Sequence, residues 1–270
     1  MKVIISHDID HLTVLEHKKD LIIPKFIVKS CIELAIKTIS LREFFNRFKD
    51  FLKNKWHNLE ELMKFDKENG IKATFFIGVN KGLGLSYNIE DAKFWIHEIL
   101  KEGFDVGVHG IEYKDFKKME IEYKTFKKIS GLSRFGIRMH YLRMDKLTLI
   151  NLEKLGYLFD SSVYTFKNPY KFKSIYEFPL HIMDGFVICG NRKFLTQNLN
   201  KIKDDTKYLL EQAFQLDIQY LTVLFHDRYF SNSFETWKKW YIWFIEYLKD
   251  NNFKFINYKE AIMELNSLDI

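Results

Sequence analysis

Val3-Ile4-Ile5-Ser6-His7-Asp8-Ile9-Asp10-His11 is an apolar strand that runs without a turn into two carboxylates flanked by two imidazoles. Asp8 and Asp10 lie one residue apart, so an extended chain carries them on the same face. Two carboxylates side by side repel unless a cation or a proton sits between them. The apolar strand before them buries their base, so the pair reads as a metal ligand beside a general base, in preference to helix caps or loop charges. By the same alternation His7 and His11 point the other way, which suits packing or support of the site better than ligation.

Outward from this stretch one pattern recurs: an amphipathic helix, a Gly or Asn stop, then a short apolar strand. Asn58 with Glu61 opens a helix over Leu59–Glu68, Gly70 ends it, and Ala73–Gly78 follows as a strand. Asn88 with Asp91 opens a second helix to Lys101, followed after Gly103 by the strand Asp105–His109. A helix over Asp145–Leu155 ends at Gly156 before the strand Tyr157–Asp160, and a helix over Phe234–Asp250 stops at Asn251-Asn252 before Phe253–Ile256. Such alternation predicts βα units on a largely parallel sheet or barrel. The strand ends then carry chemistry: His109, then Arg138, His140 and Tyr141 closing Gly136–Tyr141, then Asp160, then His226-Asp227-Arg228 after Leu221–Phe225. In α/β barrels these ends meet at one mouth, and this set there suits metal-assisted hydrolysis. Asp160 with Ser161-Ser162 would bind sugar hydroxyls or cap a turn, and Arg228 would pair with an anionic substrate group or with Asp227. His181 would line a sugar pocket or serve structure alone. His17, His57 and His97 sit on helical segments with ordinary surface neighbours and receive no role.

The whole chain has 270 residues, 47% of them hydrophobic and 17% aromatic, with 12 Gly, 3 Pro and 2 Cys. That excludes disorder, collagen-like repeats and a disulfide scaffold. Forty-two Lys and Arg against 36 Asp and Glu leave +6, but the lysines are interleaved with acids, which reads as a mixed-charge surface and not as a nucleic-acid footprint. Cys31 and Cys189 form no ligand cluster, and the N-terminus lacks the basic start, long apolar core and small-residue cleavage site of a signal peptide. A cytoplasmic protein is expected, with contact at the inner face of a membrane left open. The most apolar long stretch, Leu21 to Ile39, is interrupted by Lys25, Lys29 and Lys37 and does not read as a span. No linker or repeat divides the chain, so one domain over 1–270 is expected. Residues 16–55 break the rhythm. They read either as a lid or surface helix touching a lipid-linked substrate, or as an insertion packed on the barrel, and the helical spacing of Phe44, Phe45, Phe48 and Phe51 favours the packed insertion.

Six runs appear in order: SHDID (6–10), ATFFIG (73–78), DVGVHG (105–110), GIRMHY (136–141), LGYLFDSS (155–162) and LFHDRYF (224–230). Together they resemble the polysaccharide deacetylase family (NodB-homology, carbohydrate esterase family 4) over residues 3–10 and about 70–265, with the insertion unmatched. The resemblance implies a distorted (β/α)7 barrel carrying a helical insertion after its first strand. It also implies a divalent metal, most often zinc, and removal of N-acetyl groups from amino sugars. Carried onto this chain, it makes Asp8 the catalytic base, Asp10 and His109 metal ligands, and Arg138 the group that holds the base. Tyr141 becomes the residue whose backbone N–H meets the oxyanion, and His226 the general acid. Two positions depart from the family pattern. Tyr113 stands where a second metal histidine belongs, and His140 replaces a proline. A catalytic zinc normally keeps three protein ligands, so His140 is expected to supply the third, with Glu112 and Tyr113 as the other candidates. The rival is lost metal affinity and a barrel that only binds sugar, and a further rival is another metal-assisted amidohydrolase or esterase. The expected substrate is an N-acetylated sugar, nucleotide- or lipid-linked, in cell-surface polysaccharide or glycolipid assembly, since a positive surface favours a phosphate-bearing precursor.

Overall fold

The computed structural model describes residues 1–190 and 195–268. In chain order the elements are β1 (Lys2–Ile9), α1 (Ile22–Ala35), α2 (Leu41–Leu52), α3 (Leu59–Glu68), β2 (Thr74–Ile77), α4 (Ile89–Lys101), β3 (Asp105–Gly110), α5 (Phe116–Ser130), β4 (Ile137–Met139) and α6 (Thr148–Leu155). There follow β5 (Phe159–Asp160), β6 (Tyr170–Phe172), β7 (Ile175–Glu177), β8 (Ile182–Met183), α7 (Asp184–Cys189), α8 (Leu199–Gln215), β9 (Tyr220–Leu224), α9 (Glu235–Asp250), β10 (Lys254–Phe255) and α10 (Tyr258–Leu268). One sheet runs in the order β6-β7-β5-β4-β3-β2-β1-β9-β8, with β10 against the start of β1. Every pairing is parallel except the β6–β7 hairpin. This is the distorted (β/α) barrel that alternating elements demand.

Strand alternation decides what faces each side. Along β1, Val3, Ile5 and Ile9 join the large core between sheet and helices, while Ile4 joins a smaller cluster with Phe76, Phe159, Phe178 and Tyr258. The face that starts with Ile4 continues as Ser6 and Asp8, so the strand passes from apolar filling to buried charge as it nears its end. His7, on the other face, is buried between the Phe225 carbonyl and the Asp66 carboxylate, each 2.8 Å from a ring nitrogen. Strand β1 stops at Ile9, so the alternation does not extend to His11.

Several local signals work as written and others do not. Asn88 accepts from the Asp91 N–H at 2.9 Å and caps α4. Gly156 closes α6 at φ 88°, a conformation that favours a residue without Cβ. A Cβ on Gly136 would stand 2.2 Å from the Phe159 ring, so only glycine lets β4 and β5 lie this close. Asn58 makes no side-chain cap. Its backbone N–H donates to Asp227 and its side-chain amide to the Arg228 carbonyl, tying α3 to the turn after β9. Asp145 accepts from the N–H groups of Leu147 and Thr148, which delays α6 to Thr148. Strand β4 ends two residues before the expected Tyr141, because the chain turns at His140.

Helices α1 and α2 attach to the barrel through Phe26, Ile22, Ile23 and Phe51 on the core and through a buried polar cluster. On α2 the fully buried residues are Glu43 and Arg47; Phe44, Phe48 and Phe51 are half-buried, with Phe51 packed against Phe26 and Trp56, and of the four expected aromatics Phe45 alone is exposed, at 59%. Arg47 donates to Glu33 (2.6 Å), Ser30 (3.1 Å), Glu43 (2.9 Å) and the Ser233 carbonyl (2.9 Å), and Glu33 accepts in turn from Thr196. Burial, only partly offset by Arg47, pushes the Glu43 carboxyl up to about 7. Removing the guanidinium leaves two buried carboxyls without their cation. Arg47→Met should cost about 3–5 kcal/mol of stability in a urea melt, and a loss under 1 kcal/mol would contradict this anchoring role.

Candidate active site

The strand ends converge on a cavity of about 410 Å³ lined by Asp8, Asp10, His109, His140, Tyr141 and His226, with Lys29 entering from α1. That volume lies in the usual range for a small-molecule site, about 300–1,000 Å³.

Three ligand atoms meet at its floor. Asp10 Oδ1 lies 3.2 Å from His109 Nε2 and 3.3 Å from His140 Nδ1, and those two nitrogens are 2.9 Å apart. Each imidazole has its other nitrogen beside a backbone carbonyl: His109 Nδ1 at Arg138 O (3.1 Å) and His140 Nε2 at Leu83 O (3.2 Å). A carbonyl only accepts, so both outer nitrogens carry the proton and both inner ones present lone pairs to the Asp10 carboxylate. Three acceptors at these separations need a cation or a proton between them. A proton on the inner nitrogens is one answer: burial opposes the Asp10 charge, yet a charged His140 and imidazole N–H groups donating to Asp10 hold its carboxyl well below the ordinary range. A metal ion in place of that proton is the other. A tetrahedral ion with bonds of about 2.0–2.1 Å has ligand atoms about 3.3 Å apart. Asp10, His109 and His140 therefore fit a divalent ion.

The alternative third ligands are turned elsewhere. Glu112 Oε1 accepts from the N–H groups of Tyr113, Lys114 and Asp115 and so organises its own loop. Tyr113 packs against the core with the Arg143 guanidinium 5.0 Å from its ring centre.

Asp8 is 3% exposed, and its Oδ1 accepts from Arg138 Nη1 at 3.0 Å. Arg138 is fully buried, and its remaining N–H groups go to Ser6, Ser161 O, Ser161 Oγ and Tyr258 at 2.8–2.9 Å, which locks the guanidinium plane and with it Asp8. On the opposite wall His226 Nδ1 bonds both oxygens of Asp184 at 2.9 and 3.0 Å, and Asp184 also accepts the His226 backbone N–H. The other nitrogen, Nε2, looks into the cavity 3.6 Å from Asp10 Oδ2. Burial disfavours the imidazolium, but Asp184 outweighs it and lifts the His226 pKa to about 10. Asp184 escaped the sequence reading. The signal was there in Ile182-Met183-Asp184, an acid closing an apolar strand, but the strand is two residues long. Tyr141 forms the lip at φ 58°, ψ 22°, and Leu142 follows at φ 53°. Two successive left-handed residues that are not glycine store strain of the kind found at functional turns.

Other expected residues lie elsewhere. Asp160 is fully buried behind Arg138, and Ser162 donates to it at 2.5 Å. Burial and the Asp160 carboxylate beside it raise the Glu177 carboxyl well above the ordinary range, and both groups lie outside the cavity lining. Arg228 is sandwiched against Trp56 (3.7 Å to the ring centre) and Phe26 (4.6 Å), outside the cavity lining. Neither Asp160 nor Arg228 lines the cavity. His181 is buried between Thr222 and the Lys167 carbonyl. His11, by contrast, does line the cavity. His17 and His57 are buried, not surface residues; His17 Nδ1 bonds Asp20 at 2.8 Å with Nε2 3.1 Å from Glu16, and against burial these two carboxylates raise its pKa.

No family model matches the sequence, and no curated protein matches it. Solved structures do. A Mycobacterium smegmatis protein assigned to the polysaccharide deacetylases superposes over 100% of this chain and 91% of its own with TM-score 0.67 at 14% identity. The fold is that of the NodB-type polysaccharide deacetylases. The PuuE allantoinase shares it over 96% of this chain and 87% of its own (TM-score 0.62, 13% identity). So does a CE4 family pseudoenzyme of Bacillus anthracis, over 96% and 64% (TM-score 0.50, 10% identity). One NodB fold thus hosts different activities and none, and the side chains at the mouth must carry the assignment.

After dialysis against Zn2+ and desalting, the wild type should keep about one equivalent per chain, and Asp10→Ala and His140→Ala should lose it. Tyr113→Phe should keep it. Full retention by His140→Ala would remove this residue from the ligand set.

Proposed function

We propose that this protein is a metal-dependent N-deacetylase of an amino sugar in a polysaccharide or glycolipid under assembly. The observation that carries the proposal is the division of the cavity into a metal-ligand floor, a locked carboxylate and an opposing imidazolium. A merely sugar-binding barrel has no use for both a base and an acid. The likeness to the Mycobacterium smegmatis protein supports the polysaccharide as substrate class.

A divalent ion held by Asp10, His109 and His140 supplies Lewis-acid polarisation of the amide carbonyl and a lower pKa for the attacking water. Arg138 holds Asp8 Oδ1 and leaves Oδ2 to accept the water's proton. The Tyr141 turn presents backbone N–H at the lip, where the oxyanion develops. His226 keeps a proton on Nε2, aimed into the cavity, and delivers it to the departing amine while Asp184 steadies the ring through Nδ1. The other charges near the mouth are Lys29 and the groups already paired, so the cavity suits a neutral sugar or one bearing an acidic substituent.

Acetate release from N-acetylglucosamine oligomers tests the assignment. Asp8→Asn should lower kcat by about 10²–10⁴ with metal content retained. If the wild type, loaded with metal, frees no acetate from any N-acetylated sugar but hydrolyses a non-sugar amide, the substrate class falls and the amidohydrolase reading replaces it. The pH profile separates the roles. With its pKa raised by Asp184, His226 stays protonated below the raised value and loses the proton as pH rises through it. Asp184→Asn should therefore move the alkaline limb of kcat/KM down by about 1–3 units. An unmoved limb would mean that another group is the acid.

A further inference from the structure

Residues 16–55 carry ten Lys and Arg against five Asp and Glu, which is five of the chain's net +6. The distribution in space is more lopsided. Glu33 and Glu43 are buried on Arg47, and Glu16, Asp20 and Asp50 are partly buried, so no acid of this segment is exposed. Lys18, Lys19, Lys25, Lys37, Arg42, Lys49 and Lys53 are all exposed, and none forms an ion pair with a described residue. Large apolar side chains stand out among them. On α1 and its two flanking residues the exposed Leu21, Val28, Ile32 and Ile36 recur at three- and four-residue spacing with Lys25 on the same line. On α2, Leu41, Phe45 and Leu52 do the same with Lys49 between. The two helices pack against each other.

We propose that α1 and α2 dock this protein onto an anionic lipid bilayer, with the apolar stripes entering the acyl boundary and the lysines meeting the headgroups. An amphipathic face with unpaired cations and low overall hydrophobicity is what lies in the plane of such a surface. No helix among the described residues is long and apolar enough to cross a membrane, so the contact is interfacial. Charge selects this occupant. A second copy of the same face would bring seven unpaired cations against seven, and like charges in apposition oppose association. Nucleic acid would use the cations and leave Phe45 and Leu52 in water. The architecture also gives the docking a purpose, because α1 borders both the docked face and the cavity, into which it sends Lys29. The inference stands on this surface alone and does not depend on the deacetylase reading.

The test is sedimentation of the full chain with vesicles of phosphatidylglycerol and phosphatidylcholine, beside vesicles of phosphatidylcholine alone. Binding should require the anionic lipid and weaken at least tenfold between about 0.05 and 0.5 M salt. Phe45→Ser/Leu52→Ser and Lys49→Glu/Lys53→Glu should each cut vesicle binding about tenfold or more. Both variants should keep the wild-type melting temperature and kcat on a soluble substrate. Absence of vesicle binding overturns the proposal, as does equal binding to neutral vesicles. A concentration-dependent dimer abolished by Phe45→Ser/Leu52→Ser would make this face a self-interface. Salt-sensitive DNA or RNA binding untouched by that variant, without vesicle binding, would assign the surface to nucleic acid. A fall in kcat without a fall in vesicle binding would bear on the catalytic reading and leave docking intact.

Discussion

A guanidinium with no exposure to water sits at the centre of this molecule. Arg138 uses all five N–H donors inside the barrel: on Ser6 and Asp8 of β1, on both oxygens of Ser161, and on the Tyr258 hydroxyl at the start of α10. Its charge also lies 4.5 Å from the Phe76 ring centre on β2. A buried cation is tolerated only when its charge and its donors are matched, so these elements have one mutual arrangement in which the cost of desolvation is met. That arrangement puts Asp8 at the mouth. Lysine would not replace this residue, since one ammonium cannot donate to partners on three separate segments in one plane.

The second constraint is electrostatic. Asp8 and Asp10 leave the same strand face, and the chain separates their duties by giving each a different counter-charge. Asp8 receives Arg138, whereas Asp10 receives the convergent lone pairs of His109 and His140 and so calls for a cation of its own. The histidine at position 140 matters because β4 ends at Met139. The turn that follows swings the ring back over His109, with His140 Nδ1 2.9 Å from His109 Nε2. Tyr113 meanwhile packs against the core, so His140 is the neighbouring strand end's candidate for the third ligand. Across the cavity Asp184 repeats the theme with His226.

Much of this was legible in the primary structure, for physical reasons that also mark where legibility ends. Strand alternation on β1 placed Asp8 and Asp10 together and sent His7 into the core, because an extended chain enforces a period of two. It failed two residues past the strand, at His11, where nothing enforces it. Helix starts were readable where a side chain caps locally, as Asn88 does, and misleading where the same residue type serves a distant loop, as Asn58 does. Asp160 and Arg228 sit at strand ends as expected, but a strand end says nothing about depth, and both are engaged away from the cavity. Asp184 was missed because its meaning lies in a partner 42 residues away. The aromatics of α2 have core spacing, and Phe51 does pack on the core, yet the fully buried positions went to Glu43 and Arg47 and Phe45 faces water. Periodicity reports an amphipathic face without saying which side faces water.

The account rests on one atom-scale claim, that Asp10, His109 and His140 form a single divalent-metal site. Diffraction from a zinc-loaded crystal, recorded on both sides of the zinc absorption edge, tests it directly. The expected result is one anomalous peak within about 2.0–2.2 Å of Asp10 Oδ1, His109 Nε2 and His140 Nδ1. A peak beside Glu112 and Tyr113, or a metal-loaded crystal with His140 still hydrogen-bonded to His109 and no peak between them, would contradict it.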